Sequence, residues 1–489
     1  MRDRAVLERA ASAPAEIEPG LLAETLAAED KELMVVDATV GELPGLVDGL
    51  KGDDLLIAIE RPPPAEGGAL AIGVAGKGFE GNLTSDSTRL AGYVLSTDLA
   101  PTILERLGVE VPSAMSGQSV RSEGAVDATA VVDLGDRMAV ISERRGPVIG
   151  LGLLAWMVAL AAAAALAGRA GARAGVRVVG LAVVYLPLVL LAAAAVEPSE
   201  TVEALMVTLG APLLATTTLG LIRGYRALAV ASALTVLAYA VDVIAGSPLT
   251  TLSLLGPNPG LGVRFFGIGN ELEALLAVLV VAGTGAGLAG FTPQLASRDS
   301  AIAFLTIGLA AAFVFAAGRF GADVGAAIVF PLGAGVAAAA IGSRDRRSAL
   351  LVVALPVAVL ALLALADLIS GANAHLTRSV LDAGGLGDLG DVAQRRLQLS
   401  ADSFSRPIVA IFLPLVAGLA ALATARRDRL RSWLAGRPPV RAGLIGAGAA
   451  TLAGTLANDS GALLLEIGTA YLLVFVGFAW AENGARRQD

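Results

Sequence analysis

In the apolar C-terminal two-thirds of this chain, four short polar stretches place carboxylates, amides, arginines and the single histidine where they could move protons or hold an anion. Ionisable side chains at membrane depth cost roughly 2.5–3.5 kcal/mol each on insertion scales, so each is a candidate for function. In the first stretch, GPNPGLGVRFFGIGNELE at Gly256–Glu273, glycines and prolines forbid a regular helix up to Gly269, and Asn270 and Glu271 then open an apolar run. It reads either as an unwound segment whose following helix N-terminus faces a site, or as capping by Asn270 with Glu271 at the positive end of the helix dipole. The second, GRFGADVG at Gly318–Gly325, is a tight turn carrying Arg319 and Asp323. Its Gly321 and Gly325 would let a neighbouring helix approach closely, while a turn with a local ion pair is the plainer reading. The third follows Asp367 and holds Asn373, His375 and Arg378. His375 is the only side chain of a type that titrates near neutrality, hence the natural proton carrier, or else a solvated loop residue. The fourth, Asn458-Asp459-Ser460-Gly461, joins two apolar runs too tightly for a free loop and either caps a helix or lines a cavity.

The elements that must position these residues are membrane helices. Of the 489 residues 55% are hydrophobic and only 16% charged, well outside soluble usage. Apolar runs of bilayer-crossing length, about 20 residues each, predict eleven spans, at 148–168, 178–196, 202–222, 227–246, 271–289, 301–318, 324–341, 348–369, 407–425, 442–457 and 462–480. Turns after odd-numbered spans, with the C-terminal tail, carry 17 arginines and the alternate turns 6, which puts the arginine-rich turns and the C-terminus in the cytoplasm. The four polar stretches then share the outer face. RRDRLRSWLAGRPPVR at Arg426–Arg441 reads as an interfacial anchor for anionic lipid headgroups.

Residues 1–146 form a separate domain, with 147–489 as the membrane part. The first region contains all three lysines, and the net charge of −8 leaves no nucleic-acid footprint. The same orientation puts this domain outside the cytoplasm, yet MRDRAVLERA offers no apolar export segment, so an N-terminal piece is expected upstream. Short apolar runs at Leu33–Val36, Leu55–Ile59 and Ala69–Val74, set between glycine- and proline-rich turns, predict buried strands of an α/β sheet. Within GYVLSTDLAPTILERLGVEVPSAMSGQSV at Gly92–Val120, Thr97-Asp98 predicts a helix N-cap and Pro101 the first turn. Ile103, Leu104 and Leu107 supply the buried stripe, and Gly108 the stop.

That stretch resembles the closing segment of the alkaline phosphatase superfamily, the sulfatase, phosphodiesterase and phosphoglycerate mutase group, over about residues 30–120. The resemblance implies a partial α/β domain of enzymes that hydrolyse or transfer phosphate or sulfate esters with a pair of metal ions. Those metals need aspartates and histidines, but here DLLIAI runs into Glu60-Arg61-Pro62, the domain has no histidine, and the chain has no cysteine. A catalytically inactive remnant without bound metal or cofactor is therefore expected. Its dense polar cluster, Thr84 to Arg89, reads either as an anion-binding loop using Ser85, Ser87, Thr88 and Arg89 or as an ordinary turn. GVRFFGIGNELEA, HLTR and NDSG, behind such a domain, also resemble a set of uncharacterised bacterial envelope proteins.

The expectation is an α-helical polytopic membrane protein of the bacterial envelope with an N-terminal alkaline-phosphatase-like partial domain. It would transport or flip a polar or lipid-linked anionic substrate through an outer-face site of Asn270, Glu271, Arg319, Asp323, His375, Arg378, Asn458 and Asp459. An envelope enzyme acting on phosphate- or polyprenyl-linked substrates, with Arg378 as phosphate clamp and a carboxylate as general base, is the alternative. An inert scaffold is the third. Glu271 is expected to meet Arg378, Arg319 or Arg395.

Overall fold

The computed structural model describes residues 21–29, 33–61, 69–112, 115–259, 264–342, 346–370, 394, 397–407 and 409–485. They form two compact units. The first comprises Met1–Glu143 with Asn258–Phe266, the second Arg144–Pro257 with Gly267–Asp489.

In the first unit, α1 (Leu21–Ala28) and α2 (Leu43–Asp48) precede two antiparallel strand pairs. Strand β1 (Leu56–Ile59) pairs with β2 (Ile72–Ala75), and β3 (Asn82–Thr84) with β4 (Arg121–Glu123). Two of the predicted strands therefore exist, but as a two-stranded ribbon; no larger α/β sheet forms among the described residues. The strand expected at Leu33–Val36 is not one: these residues are unpaired chain at 43–87% exposure, an apolar run with no neighbour to bury it. The predicted helix is present as α3 (Leu99–Arg106), entered by a 3-10 turn at Ser96–Asp98 and left through Gly108 at φ +69°. Leu104 is fully buried and packs with Leu26, Val109 and Met115. The tail of the motif is tied back onto this helix. Thr102 Oγ1 donates to Asp98 O and accepts from Val120 N, and Gly117, at φ +98°, passes so close to Thr97 O that a side chain would collide.

The second unit is helical: α4 (Ala128–Val196, whose first residues belong to the other unit), α5 (Glu200–Leu221), α6 (Tyr225–Ile244), α7 (Pro248–Leu252), α8 (Asn270–Phe291), α9 (Ser297–Ala316), α10 (Ala326–Ile341), α11 (Arg346–Ser370), α12 (Val409–Ala425), α13 (Arg427–Trp433), α14 (Pro438–Ala457) and α15 (Gly461–Ala485). Among the described residues eight helices are long and apolar enough to cross a membrane, and α10 and the apolar part of α12 are shorter. The chain is thus a helical protein of membrane-spanning character. All eleven predicted segments fall on helices, the first two both within α4, which breaks at Ala167–Gly168 where Gly168 takes φ +55°.

Helix α8 is the centre, apolar on every side and buried over 78% of its most apolar stretch. Helices α6, α10, α14 and α15 pack around it. Lipid tails are as apolar as leucine, so close packing must hold such helices together, and glycines supply it. An added Cβ on Gly285 would lie 3.3 Å from Gly443 Cα, and one on Gly333 2.9 Å from Ala450 Cβ. Pro187 leaves the Val183 carbonyl without its helical donor, and Tyr471 Oη fills the vacancy at 3.1 Å.

Candidate functional site

Three of the four polar stretches meet at one end of the helical unit. Backbone joins the first two, Ile268 N donating to Gly321 O at 3.0 Å, and the neighbouring Gly267 N donates to the side-chain Oγ of Ser247, just before α7, at 2.9 Å. Gly267, at φ +76°, makes a close backbone approach to Gly321 that no side chain would permit. Gly269 is extended, and α8 starts behind it with Asn270, Glu271 and Glu273 in its first turn, where the helix dipole favours negative charge.

Each of these residues meets a different element. Asn270 Nδ2 donates to Asp459 Oδ1 at 3.0 Å, joining the first stretch to the fourth. Glu271 pairs with Arg145 of α4 at 2.9 Å, both side chains about three-quarters buried, and Arg145 also donates to Gly256 O at 2.8 Å. Among the described residues Arg145 is thus a partner of Glu271 that was not foreseen; of the arginines expected there, Arg319 lies exposed on its turn, and Arg378 and Arg395 fall outside the described residues. Arg144, next in sequence to Arg145, binds Pro198 O at 3.0 Å and fully buried Glu203 of α5 at 3.5 Å. Two consecutive arginines therefore pin the starts of α5 and α8.

Glu273 lies deepest, with no exposed surface. Its Oε2 accepts from Asn458 Nδ2 at 2.6 Å, a charge-assisted geometry if the carboxylate is ionised. Gly325 presses against the same group: a Cβ there would lie 2.5 and 2.8 Å from the two carboxylate oxygens and 2.9 Å from Asn458 Nδ2. Asp323, 4% exposed, accepts from Gly325 N at 3.0 Å through Oδ1, so the second stretch brings a further buried carboxylate onto the glycine that presses against Glu273. Ser400 and Ser403 fasten the fourth stretch, Ser400 Oγ donating to Thr455 O at 2.6 Å and Ser403 Oγ accepting from Ala462 N at 3.0 Å.

Asn270, Glu271, Asp323, Asn458 and Asp459 are thus brought together, Arg319 sits at the edge, and His375 and Arg378 lie outside the described residues. Glu273 and Arg145 are functional candidates that residue patterns missed, whereas the close approach at Gly325 was expected from its spacing to Gly321. Glu273 could have been found as the last carboxylate of α8 before an uninterrupted apolar run; nothing in sequence links Arg145 to a residue 126 positions away. As described, the cluster is acidic, with Glu273, Asp323 and Asp459 beyond the Arg145–Glu271 pair. Among the described residues no three acidic or histidine side chains group to hold a metal ion.

In the first unit the proposed anion loop is a closed knot. Ser85 Oγ and Ser87 Oγ each donate at 2.6 Å to the buried carboxylate of Asp98, which also accepts from Leu95 N and Gln118 N at 2.9 Å. Thr88 Oγ1 donates to Tyr93 O, and Arg89, at φ +56°, lies with its guanidinium 3.8 Å from the centre of the Phe266 ring. The hydroxyls of Ser85 and Ser87 are committed to a carboxylate and that of Thr88 to a backbone carbonyl, an arrangement that suits the turn reading.

At the arginine-rich helix ends, Arg177 pairs with Glu482 at 2.9 Å, and the guanidinium of Arg437 lies 4.5 Å from the centre of the Tyr225 ring. No protein-family model, curated protein or solved structure matches this chain, so the reading of the site rests on its own residues.

Proposed function

We propose that the protein is a multi-pass carrier of the bacterial plasma membrane that transports or flips a polar or lipid-linked substrate, with Glu273 at the heart of its coupling site. In this reading the chain spans eleven times, the two halves of α4 and the shorter α10 and α12 included. The N-terminal unit lies outside the cytoplasm as a non-catalytic, alkaline-phosphatase-like remnant, and the C-terminus lies inside.

The observation that carries the proposal is a fully buried carboxylate in the first turn of the central apolar helix, held by an asparagine from a distant helix end. Helix starts behind glycine-broken chain are where carriers handle ions, because irregular backbone is tolerated at depth only where protein or a cavity satisfies it. Glu273 and Asp323 would exchange protons as the ends of α8, α10 and α14 separate and close. An anionic group on the substrate would need basic partners, and the sequence offers Arg378 and His375 for it.

The test is reconstitution in liposomes containing fluorescent short-chain phospholipid and fluorescent polyprenyl phosphate, with dithionite added outside. Rapid bleaching of the inner-leaflet pool by wild type but not by Glu273→Gln supports flipping. Equal slow bleaching by both, with release of phosphate from the polyprenyl ester, would replace the proposal by the enzyme reading.

A further inference from the structure

The second half of α4 and α6 are pinned together along one edge by polar bonds: Thr235 Oγ1 donates to Val184 O at 2.9 Å, and Tyr239 Oη to Pro187 O at 3.0 Å. On the opposite side the two helices leave a groove of about 530 Å³, walled by Leu188, Leu191, Leu234, Leu237, Val241 and Leu249. Leu234, Leu237 and Val241 are 48%, 59% and 66% exposed, so the groove opens sideways to whatever surrounds the helices. In a membrane that is hydrocarbon. Asp242 is the one ionisable residue on the wall, and both its oxygens are occupied, accepting from Leu249 N at 3.0 Å and Thr250 N at 2.7 Å. Nothing polar in the groove remains to recognise a headgroup.

We infer that this groove holds the aliphatic tail of a lipid-linked substrate whose polar head reaches the Arg145–Glu271 end of the site. The inference rests on the carrier reading and narrows its substrate to the lipid-linked class. What selects a substrate tail over bulk lipid is continuity. The groove's lining includes Pro248 and Leu249 of α7, Gly256 packs directly against Thr250 O of the same short helix, and the Gly256 carbonyl is held by Arg145 as that side chain pairs with Glu271. A chain lying along α6 therefore has its head end directed at the one basic group of the cluster whose partners the structure identifies. Arg145 is a cation paired with one carboxylate, suited to exchange one oxyanion for another.

The experiment uses the full chain in liposomes with a polyprenyl phosphate bearing a diazirine on its tail, cross-linked and mapped by peptide mass spectrometry. Labels should concentrate on the peptides containing Leu188 and Leu191 and those containing Leu234 to Leu249. Unlabelled polyprenyl phosphate should compete and phosphatidylglycerol should not. Ala238→Phe, which fills the groove, should lower labelling about tenfold, the loss expected from displacing roughly two methylenes. Val241→Trp repeats the block from the exposed rim, where folding is not at stake. Labelling spread evenly over other lipid-facing helices such as α11 and α12, or equal competition by phosphatidylglycerol, would show ordinary boundary lipid and overturn the inference. Undiminished labelling in a folded Ala238→Phe or Val241→Trp protein would do the same. The outcomes separate the two readings: flipping of the short-chain phospholipid that survives both blocks, without groove labelling, sinks the groove alone. Specific groove labelling in a protein that flips nothing sinks the carrier alone.

Discussion

Replacing Gly325 by alanine would put a methyl group 2.5–2.8 Å from both carboxylate oxygens of Glu273 and 2.9 Å from the asparagine amide that holds them. The backbone does not resist, since φ −58° and ψ −40° suit any residue. In an unconstrained helix, alanine for glycine gains up to ~1 kcal/mol. Here overpacking costs about 1–3 kcal/mol, so the net should be destabilising by about 1 kcal/mol. The alternative for the chain is to push the carboxylate aside and lose its bond to Asn458, worth about 1.5–3 kcal/mol if charged. Asn458→Ala forfeits that bond directly and opens space into which the carboxylate can move. Gly325→Ala should therefore cost less in the Asn458→Ala background, with a coupling of about 1–2 kcal/mol. Gly418→Ala in α12 is the control, because nothing lies within 4 Å of its added methyl. Thermal unfolding in detergent reads all four proteins and the double variant, at on the order of 2 °C per kcal/mol. If Gly325→Ala behaves like Gly418→Ala, with no coupling to Asn458→Ala, the carboxylate is not held where the site requires it.

Arg145→Glu should destabilise the helical unit by about 2 kcal/mol, more than a surface pair, and adding Glu271→Arg should recover part of the loss. Absence of any recovery in the unfolding midpoint would remove that pair from the site. Asp98→Ala strands two hydroxyls and two backbone N–H groups, so it should loosen the N-terminal unit by more than ~3 kcal/mol. Limited proteolysis of the full chain should then cut residues 80–120 first, and unchanged resistance would refute the knot. Single cysteines at Ser199 and Ser432, both exposed in a chain without native cysteine, should label oppositely with an impermeant reagent in intact cells. Reaction at Ser432→Cys alone would invert the proposed orientation. Burial, and then the Asp136 carboxylate, raise the Tyr93 phenol above its usual value. The stability it contributes is whole below ~10 and lost as pH rises through the higher folded value. Tyr93→Phe should flatten the alkaline limb of the N-terminal unit's stability curve, and an identical limb would count against that burial.

The helices were readable because a bilayer-length apolar run has few other ways to satisfy its backbone. Even the break inside α4 was marked, by Gly168 followed within a residue by the first arginine of a cluster. The site was readable in part for the same reason: Asn270, Asp323 and Asn458 stand out against apolar neighbours. Their partners did not, since Arg145 and Glu273 belong to helix stretches whose plain reading is capping or an interfacial end. In the first unit, Ser85 and Ser87 showed the composition of an anion loop, yet that composition equally suits hydroxyls donating to a buried carboxylate. Which one forms depends on Asp98, eleven and thirteen residues away. The strand expected at Leu33–Val36 failed because apolar composition predicts burial only where the fold provides a neighbour.

Asn258–Phe266 belongs to the N-terminal unit although more than a hundred residues of helix separate it from Glu143. During synthesis that unit cannot acquire its last piece, with the ring that Arg89 covers, until four predicted spans have left the ribosome. At 5–20 residues per second the wait is on the order of ten seconds. Until then the first unit can build its Leu104 core and Asp98 knot but lacks the ring that Arg89 covers. A fragment cut at residue 146 would reproduce that waiting state and not the finished unit.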